Sequence, residues 1–300
     1  MAPMTQQHFD QQLVGRRRVR AARGEPADFL LAQVAEDLAD RLALVQRSFT
    51  AIADVATPTD ALREAIAGRG WPLPLAAEPV ESLARRRAAP VVVAPADALP
   101  FRDQSLDLAV SALGLQFVDD LPGVFAQVRR ALKPDGLFLA AMLGGDTLTE
   151  LRQAFAAAES EIDGGLSPRV APFADVRDVG GLLQRAGFAL PVTDSDRLTV
   201  RYGDVFALMR DLRAMGATNP LAGRRRVPLR RATLLRMAEV YHERFADPDG
   251  RIRATFQVVT LSGWAPHESQ QKPLRPGSAK ARLADALKAI ELPTGEKPGG

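Results

Sequence analysis

The amino-acid sequence predicts a doubly wound α/β fold, and three observations support this prediction. Strand-like and helix-like segments alternate along the chain, which requires parallel strands joined by crossover helices. The 300 residues are 46% apolar, which is enough for a large hydrophobic core. No apolar run reaches the length of about 18 residues that would predict a membrane-spanning helix. We therefore expect one sheet that is covered by helices on both faces.

The first half of the chain carries the regular alternation. Apolar residues at helical spacing predict a helix over 27–46, within an N-terminal helical extension that covers 1–46. Thr57 is a good N-cap and Pro58 suits the first helical position, so a helix is expected to begin near residue 58. The expected strands are 49–56, 72–79, 90–97, 105–115 and 137–143, and the expected helices between them are 58–67, a short helix from residue 80, and 121–132.

The second half adds further elements without an obvious linker. The expected elements are helices over 147–162, 175–186, 204–215 and 229–245, and strands over 190–202, as one strand or a pair, and over 253–264. We expect a single domain over 1–270, with a cofactor-type half at 47–145 and a substrate or partner half at 146–270. The polar, Pro- and Gly-containing sequence that follows predicts a flexible tail over 271–300, with one short helix at 280–290.

Composition limits the classes of function. The absence of cysteine excludes disulfides, thiolate catalysis and cysteine-type zinc sites, and it fits a cytoplasmic location. The arginine runs at 16–18, 85–87 and 224–226 are expected to be solvated faces, and too few aromatic residues accompany them for a nucleic-acid stacking surface. A basic N-terminal helix leaves open a contact with an acidic partner or a membrane surface.

Polar or small residues follow each of the first five expected strands. Ligands of doubly wound sheets lie beyond the carboxyl ends of the strands, where the strand order reverses. The residues to consider at these ends are Asp54, Glu78, Asp97, Ser111 and Gly144.

Two sets of motifs carry a resemblance to known proteins. The segment DALPFRDQSLDLAVS, followed by LKPDG, resembles the class I S-adenosylmethionine-dependent methyltransferases of type 11. Four later segments resemble the mitochondrial complex I assembly factor 5 family and its bacterial relatives, and this likeness covers roughly residues 8–280. These segments are GGDTLTELR (144–152), GGLSPRVAPF (164–173), LMRDLRAMGATN (208–219) and ATFQVVTLSGWAPHESQ (254–270).

The resemblance implies a fold, a cofactor and a partner. The fold would be the seven-stranded, Rossmann-like class I methyltransferase sheet, with its last strand antiparallel and with extra C-terminal helices. The cofactor would be S-adenosylmethionine. The partner would be a subunit of respiratory complex I, on which the mitochondrial members are associated with hydroxylation of an arginine.

The same resemblance assigns residues to the cofactor pocket. Glu78 matches the acid that binds the ribose hydroxyls, although it could instead be a solvent-exposed acid at a strand end. Asp97 matches the acid near the adenine amino group, or it caps a helix. Gln116 stands where many relatives carry a histidine, which removes a titratable group. The full set is Asp54, Ala56, Thr57, Glu78, Asp97, Ala98, Ser111 and Gln116.

The turn over residues 54–60 departs from the family's glycine-rich motif, because it contains no glycine. Glycines there would allow positive φ and close backbone approach to the cofactor. Pro58 lacks an N–H group, while Val55 and Thr57 are β-branched and resist the left-handed conformation. We expect this turn to follow a different path, with side chains where the cofactor's methionine portion would lie. Binding of S-adenosylmethionine is therefore expected to be weak or lost.

The candidate substrate residues begin after the fifth strand. Gly144 and Gly145 permit close backbone approach, and Asp146 could hold a cationic group such as an arginine side chain. Alternatively, Asp146 caps a helix that begins at Thr147 and pairs with Arg152.

A second group of candidates lies further along the chain. Asn219 could bind a substrate backbone or cap a turn. His267, beside Trp264 and Glu268, could shuttle a proton, or this segment is a loop packed by Trp264. No metal site is expected from the spacing of the three histidines.

Three interpretations of function stay open. The chain could transfer a methyl group from S-adenosylmethionine. It could mature complex I by acting on a protein arginine. It could also be a non-catalytic assembly protein on the same fold.

Overall fold

The structure is a computed structural model that describes residues 7–271. The chain divides into two units, one ending at Pro266 and the other beginning at His267. The helix expected at 280–290 lies outside the described residues, as does the expected tail apart from residue 271. No helix among the described residues is long and apolar enough to cross a membrane.

A seven-stranded sheet forms the centre of the first unit, with the order β3-β2-β1-β4-β5-β7-β6. The first five strands are parallel, and β7 is antiparallel to both of its neighbours. The strands are β1 (Ile52–Val55), β2 (Leu75–Glu78), β3 (Val91–Val93), β4 (Leu106–Ala112), β5 (Leu132–Leu143), β6 (Ala189–Tyr202) and β7 (Ile252–Trp264). This topology confirms the expected class I methyltransferase sheet.

Helices cover both faces of the sheet. They are α1 (Gln11–Ala21), α2 (Phe29–Ala43), α3 (Ala61–Gly68), α4 (Glu81–Ala84), α5 (Leu121–Ala131), α6 (Thr149–Ile162), α7 (Val176–Arg185), α8 (Val205–Ala214) and α9 (Arg231–Phe245). The extra helices of the second half are thus present, and residues 190–202 lie in one long strand.

Two hydrophobic cores lie on opposite faces of the sheet. In β5, Leu137 and Leu139 belong to the larger core with α2, α3 and α6, whereas Phe138 and Ala140 belong to the second core with α5 and α7. This alternation follows from the period of two that orients side chains along a strand. A strand that is apolar at every position is therefore buried on both faces, as the sequence predicts.

Several boundaries differ from the expected ones; strand β5 begins at Leu132 rather than at residue 137, and β4 ends at Ala112 rather than at residue 115. Helix α3 begins at Ala61 rather than near residue 58, because the hydroxyl of Thr57 turns inward and does not cap the helix. Strand β3 ends at Val93, so Asp97 follows it by several residues. Because α3 begins at Ala61, the turn between β1 and α3 is longer than the sequence predicts.

Helix α1 is fixed by contacts at its amino end. The Asp10 side chain accepts the Leu13 amide at 2.9 Å and pairs with Arg224 at 3.2 Å. Asp119 accepts the amides of His8 and Phe9 at 2.9 and 3.0 Å. These contacts hold α1 close to the segment that follows β4, at the carboxyl edge of the parallel strands.

Candidate cofactor and substrate site

Glu78, at the carboxyl end of β2, is completely buried. Its Oε1 accepts hydrogen bonds from Arg18 Nη1 at 2.9 Å and from the Val80 amide at 3.0 Å. Its Oε2 accepts from Arg18 Nη2 at 2.8 Å and from Arg87 at 2.6 Å (Nη2) and 3.1 Å (Nε). An ionised carboxylate offers about four lone-pair positions, so these donors leave no acceptor for a further ligand. The alternative of a solvent-exposed acid is therefore wrong.

Arg18 and Arg87 also bind the backbone of the turn after β1. Arg18 donates to Pro58 O at 3.2 Å, and Arg87 donates to Thr59 O at 3.0 Å and to Thr57 O. The two guanidinium groups thereby connect α1, β2 and the segment 57–59. Charge-assisted and bidentate contacts of this kind are among the stronger hydrogen bonds in proteins.

These two arginines come from runs that the sequence predicts to be solvated faces. The prediction is correct for Arg16 and Arg86, which are exposed. It is wrong for Arg18 and Arg87, whose side chains are only 11% and 6% exposed. Arg18 and Arg87 meet at one buried carboxylate, and Arg17 of the first run is also partly buried.

Asp54 ends β1 in a fully buried position. The Thr57 hydroxyl donates to Asp54 Oδ1 and accepts the Ala112 amide at 2.9 Å, while Asp54 Oδ2 has no hydrogen-bond partner among the described residues. Burial raises the pKa of Asp54 to about 7, against the opposing effects of the Thr57 hydrogen bond and of Arg87 and Arg63. Thr57 is therefore engaged between β1 and β4 and is not the expected N-cap.

Ala56 takes the left-handed conformation in this turn, with φ of 59°. The β-branched residues on either side of it, Val55 and Thr57, do not adopt positive φ. A Cβ on Gly114 would lie 2.4 Å from Ala56 O, so the segment after β4 packs directly on the turn. The turn thus packs against Gly114, and the Thr57 hydroxyl points inward to Asp54 and Ala112.

Two further polar atoms near the strand ends lack partners. Ser111 Oγ, on β4, and Gln116 Oε1 are buried without a hydrogen-bond partner in the described part of the chain. Gln116 Nε2 donates to Leu113 O at 2.8 Å. Of the two residues, Gln116 lines a cavity, so water or a ligand there could pair with its free oxygen.

A cavity of about 220 Å³ lies beside these groups, and Ala56, Asp97, Gly114 and Gln116 are among the residues that line it. An apolar cavity of about 140 Å³ shares Gln116 with it. Asp97 and Ala98 are exposed, and the Asp97 carbonyl accepts Gln127 Nε2 at 2.7 Å. Asp97 therefore faces the cavity region without capping a helix.

Asp146 neither caps a helix that begins at Thr147 nor pairs with Arg152, so the structural alternative for this residue is wrong. It pairs with Arg197 on β6, and its amide donates to Gln257 Oε1 at 2.8 Å. Helix α6 begins at Thr149, and Arg152 contacts Thr147 O at 3.4 Å instead of pairing with Asp146. Asp146 is half exposed, so a cationic side chain would have to compete with Arg197.

Gly144 and Gly145 play different roles. A Cβ on Gly144 would lie 2.7 Å from Val259 Cγ2 and 2.8 Å from Gln257 Oε1, whereas a Cβ on Gly145 would meet nothing closer than Phe173 O at 3.8 Å. Gly144 is therefore required for packing of β5 against β7. Gly145 has no such requirement.

The remaining candidates do not gather at one site. Asn219 bridges Pro168 O at 2.7 Å and the Leu221 amide at 3.1 Å, so it stabilises a turn. Trp264 pairs with Leu137 at the amino end of β5, the edge opposite the carboxyl ends of the parallel strands, and Arg47 stacks on its ring at 5.3 Å. The structure therefore separates Trp264 from Asp146.

His267 and Glu268 belong to the second unit. Both are exposed, and His267 Nδ1 lies 2.7 Å from Ser269 Oγ. The described residues contain no group of three histidine or carboxylate side chains that could hold a metal ion.

Comparison with known proteins places the chain among methyltransferase-fold proteins. The methyltransferase domain family matches residues 53–140. The protein named arginine-hydroxylase NDUFAF5, mitochondrial, of Homo sapiens is 38% identical over 99% of this chain and 88% of its own length. Its Danio rerio counterpart is 37% identical over 88% of this chain and 84% of its own length. The chain belongs to the NDUFAF5 family.

Other similarities cover a smaller share of this chain. The malonyl-[acyl-carrier protein] O-methyltransferase of Laribacter hongkongensis is 42% identical over 64% of this chain and 62% of its own length. A methyltransferase-like protein of Bacillus halodurans has a TM-score of 0.53 at 15% identity, covering 77% of this chain and 99% of that one. The YcgJ protein of Bacillus subtilis has a TM-score of 0.52 at 12% identity, covering 78% and 98%. At these identities the two structures support the fold alone.

The residues of this NDUFAF5 family member fit S-adenosylmethionine only in part. The unpaired Asp54 Oδ2, Ser111 Oγ and Gln116 Oε1 are acceptors that a cofactor or water could satisfy. Glu78, however, has both carboxylate oxygens filled by Arg18, Arg87 and a backbone amide. As arranged, the residues do not fit the cofactor at its ribose.

We expect the stability of the protein to report the titration of Asp54. Because its folded pKa of about 7 exceeds the ordinary value of 3.8, its contribution is present at low pH and is lost as pH rises through 7. Relative to Asp54→Asn, the wild-type free energy of unfolding should fall by about 1.4 kcal/mol per pH unit between about pH 4.5 and 6.5. Urea denaturation at each pH measures this, and parallel curves for the two proteins would contradict it.

The two glycines after β5 provide a matched test of packing. Gly144→Ala should lower the free energy of unfolding by about 1–3 kcal/mol, because its Cβ overlaps Val259 and Gln257. Gly145→Ala should change it by less than about 0.5 kcal/mol. Chemical denaturation compares the two, and equal effects would show that Gly144 is not constrained by β7.

Proposed function

We propose that this chain acts in the maturation of respiratory complex I, with a methyltransferase-type cofactor site that its own residues fill in the free protein. The carrying observation is the buried Glu78, to which Arg18 and Arg87 both bind. The similarity to the NDUFAF5 proteins supports the role in complex I maturation. On this proposal, S-adenosylmethionine binds weakly because its ribose must displace a guanidinium group.

The competition at Glu78 has a physical basis. A ribose diol offers two neutral donors, whereas Arg18 offers two charged donors in a geometry that matches a carboxylate. The positive charge of Arg18 would also be left without its partner if the cofactor took its place. Both effects favour the closed arrangement over the bound cofactor.

Two alternatives differ in chemistry. The relatives' name, arginine-hydroxylase, suggests addition of oxygen to a protein arginine. The filled Glu78 site favours the second alternative, a non-catalytic assembly protein on the same fold. A complex I subunit is the proposed partner in either case, and a cytoplasmic site of action stays a prediction from the lack of cysteine.

The cofactor proposal is tested by calorimetric titration with S-adenosylmethionine. The wild-type dissociation constant should be weaker than about 100 µM. Arg18→Ala should bind at least about tenfold more tightly, because it frees two acceptor positions on Glu78. Low-micromolar binding by the wild type would contradict the proposal.

A matched control lies on the same helix. Arg20 is exposed on α1, so Arg20→Ala should bind as the wild type does. Arg18→Met, which keeps the apolar part of the side chain, guards against loss of α1 packing and should show the same gain as Arg18→Ala. Equal affinities for Arg18→Met and the wild type would remove the role assigned to Arg18.

The biological role is tested by deletion of the gene in its host. Loss of assembled complex I that the wild-type gene restores is expected, and unchanged complex I would contradict the maturation role. Rescue by Glu78→Gln would favour the non-catalytic alternative. An added oxygen on a complex I arginine, present only with the wild-type gene, would favour the hydroxylase alternative.

A further inference from the structure

A separate cavity of about 360 Å³ lies between α1, α6 and α8. Its interior is largely apolar, which is typical of sites that bind the body of a small organic ligand. The apolar side chains that line it include Leu148, Leu151, Phe155, Phe173, Met209 and Leu212.

The charged residues that line this cavity are all arginines: Arg17, Arg169 and Arg213. Arg169 already has a partner, because its Nε donates to the buried Glu159 at 2.7 Å and its guanidinium stacks on Phe155 at 5.7 Å. Arg169 therefore forms a wall of the cavity. The positive charge that is available to a ligand belongs to Arg17 and Arg213.

Arg17 is partly buried without an acidic partner. Its Nη1 donates to the carbonyl oxygens of Thr218, at 2.7 Å, and of Asn219, and no carboxylate within residues 7–271 forms an ion pair with it. Burial lowers the pKa of Arg17, and the nearby positive charge of Arg224 lowers it further. Asp10 offsets part of this effect, but the guanidinium is hydrogen-bonded only to carbonyl oxygens, so an anion at this position would stabilise this partly buried cation.

Two more groups point to a ligand. Arg213, an exposed residue of α8 that lines the cavity, forms no ion pair with any described residue, so its charge is free to meet a ligand there. The hydroxyl of Thr218, which also lines it, is buried without a hydrogen-bond partner in the described part of the chain. The donors of Arg17 and Arg213 and this hydroxyl therefore lie around one apolar space.

We propose that this cavity binds an amphipathic anion, with its charged head at Arg17 and Arg213 and its alkyl body along Leu151 and Phe155. The head would be a carboxylate or a phosphate, because the oxygens of both groups accept paired hydrogen bonds from a guanidinium group. The apolar lining favours an alkyl chain and disfavours a nucleotide or a sugar.

This cavity adjoins the cofactor region but differs from it in its charged lining. Phe117 and Ala217 line both this cavity and the 220 Å³ cavity beside Gln116, and the 140 Å³ apolar cavity also shares Leu148, Phe173 and Leu212 with it. Arg18 faces Glu78, whereas Arg17, its neighbour on α1, faces the arginine-lined cavity. The inference does not rest on methyl transfer or on complex I.

Isothermal titration of the full chain with decanoate, decyl phosphate and decanol, each below its micelle concentration and without S-adenosylmethionine, tests the proposal. At least one of the two anions should bind about tenfold or more tightly than decanol. The anion that binds more tightly identifies the head group. Hexanoate should bind more weakly than decanoate, since each buried methylene contributes about fourfold in affinity. Equal binding of anions and decanol would overturn the proposal.

Variants separate a built site from general apolar binding. Arg213→Gln should weaken binding of the anions about tenfold and leave decanol unchanged. Arg210→Gln, an exposed position on the same helix that does not line the cavity, should have no effect. Leu229→Trp, which fills the rim, should abolish binding of all three ligands. Undiminished anion binding by Arg213→Gln or by Leu229→Trp would overturn the proposal, without bearing on the cofactor titration.

Discussion

The arrangement at the carboxyl edge of the sheet depends on one buried carboxylate, that of Glu78. It receives two guanidinium groups that come from distant parts of the chain, and both groups also bind the turn after β1. Removing one partner of a buried ion pair typically costs about 3–5 kcal/mol, because the remaining charge stays buried without compensation. The position of α1 over the strand ends is therefore coupled to the position of β2.

Glu78 is the residue that the resemblance assigns to the cofactor ribose, and its contacts are to the protein itself. The methyltransferase resemblance implies that the acid at the end of β2 accepts hydrogen bonds from the ribose hydroxyls of the cofactor. Here the same acid serves the protein's own N-terminal helix, while Asp54 and Ser111 nearby keep unpaired acceptors. The carboxyl edge of the sheet is thus fully hydrogen-bonded at Glu78 and incompletely hydrogen-bonded at Asp54 and Ser111.

The strands and their order could be predicted from short apolar runs followed by turns and helices, although β3 ends at Val93, before the expected Asp97, and β5 begins at Leu132. The sequence could not predict which arginine of a run faces inward, since Arg18 and Arg87 are buried only through the approach of α1 and of the segment after α4. The turn was misjudged because Ala56, the smallest side-chain residue there, takes the left-handed conformation in place of Val55 or Thr57. Trp264 lies at the opposite edge of the sheet because β7 is antiparallel to β5.

The central claim is that Arg18 and Glu78 stabilise each other directly. A double-mutant cycle measures it, with the free energies of unfolding of the wild type, Arg18→Ala, Glu78→Gln and the double variant in urea. The account predicts a favourable coupling of at least about 2 kcal/mol. A coupling within about 0.5 kcal/mol of zero would mean that the two groups act independently, and it would contradict the closed site described above.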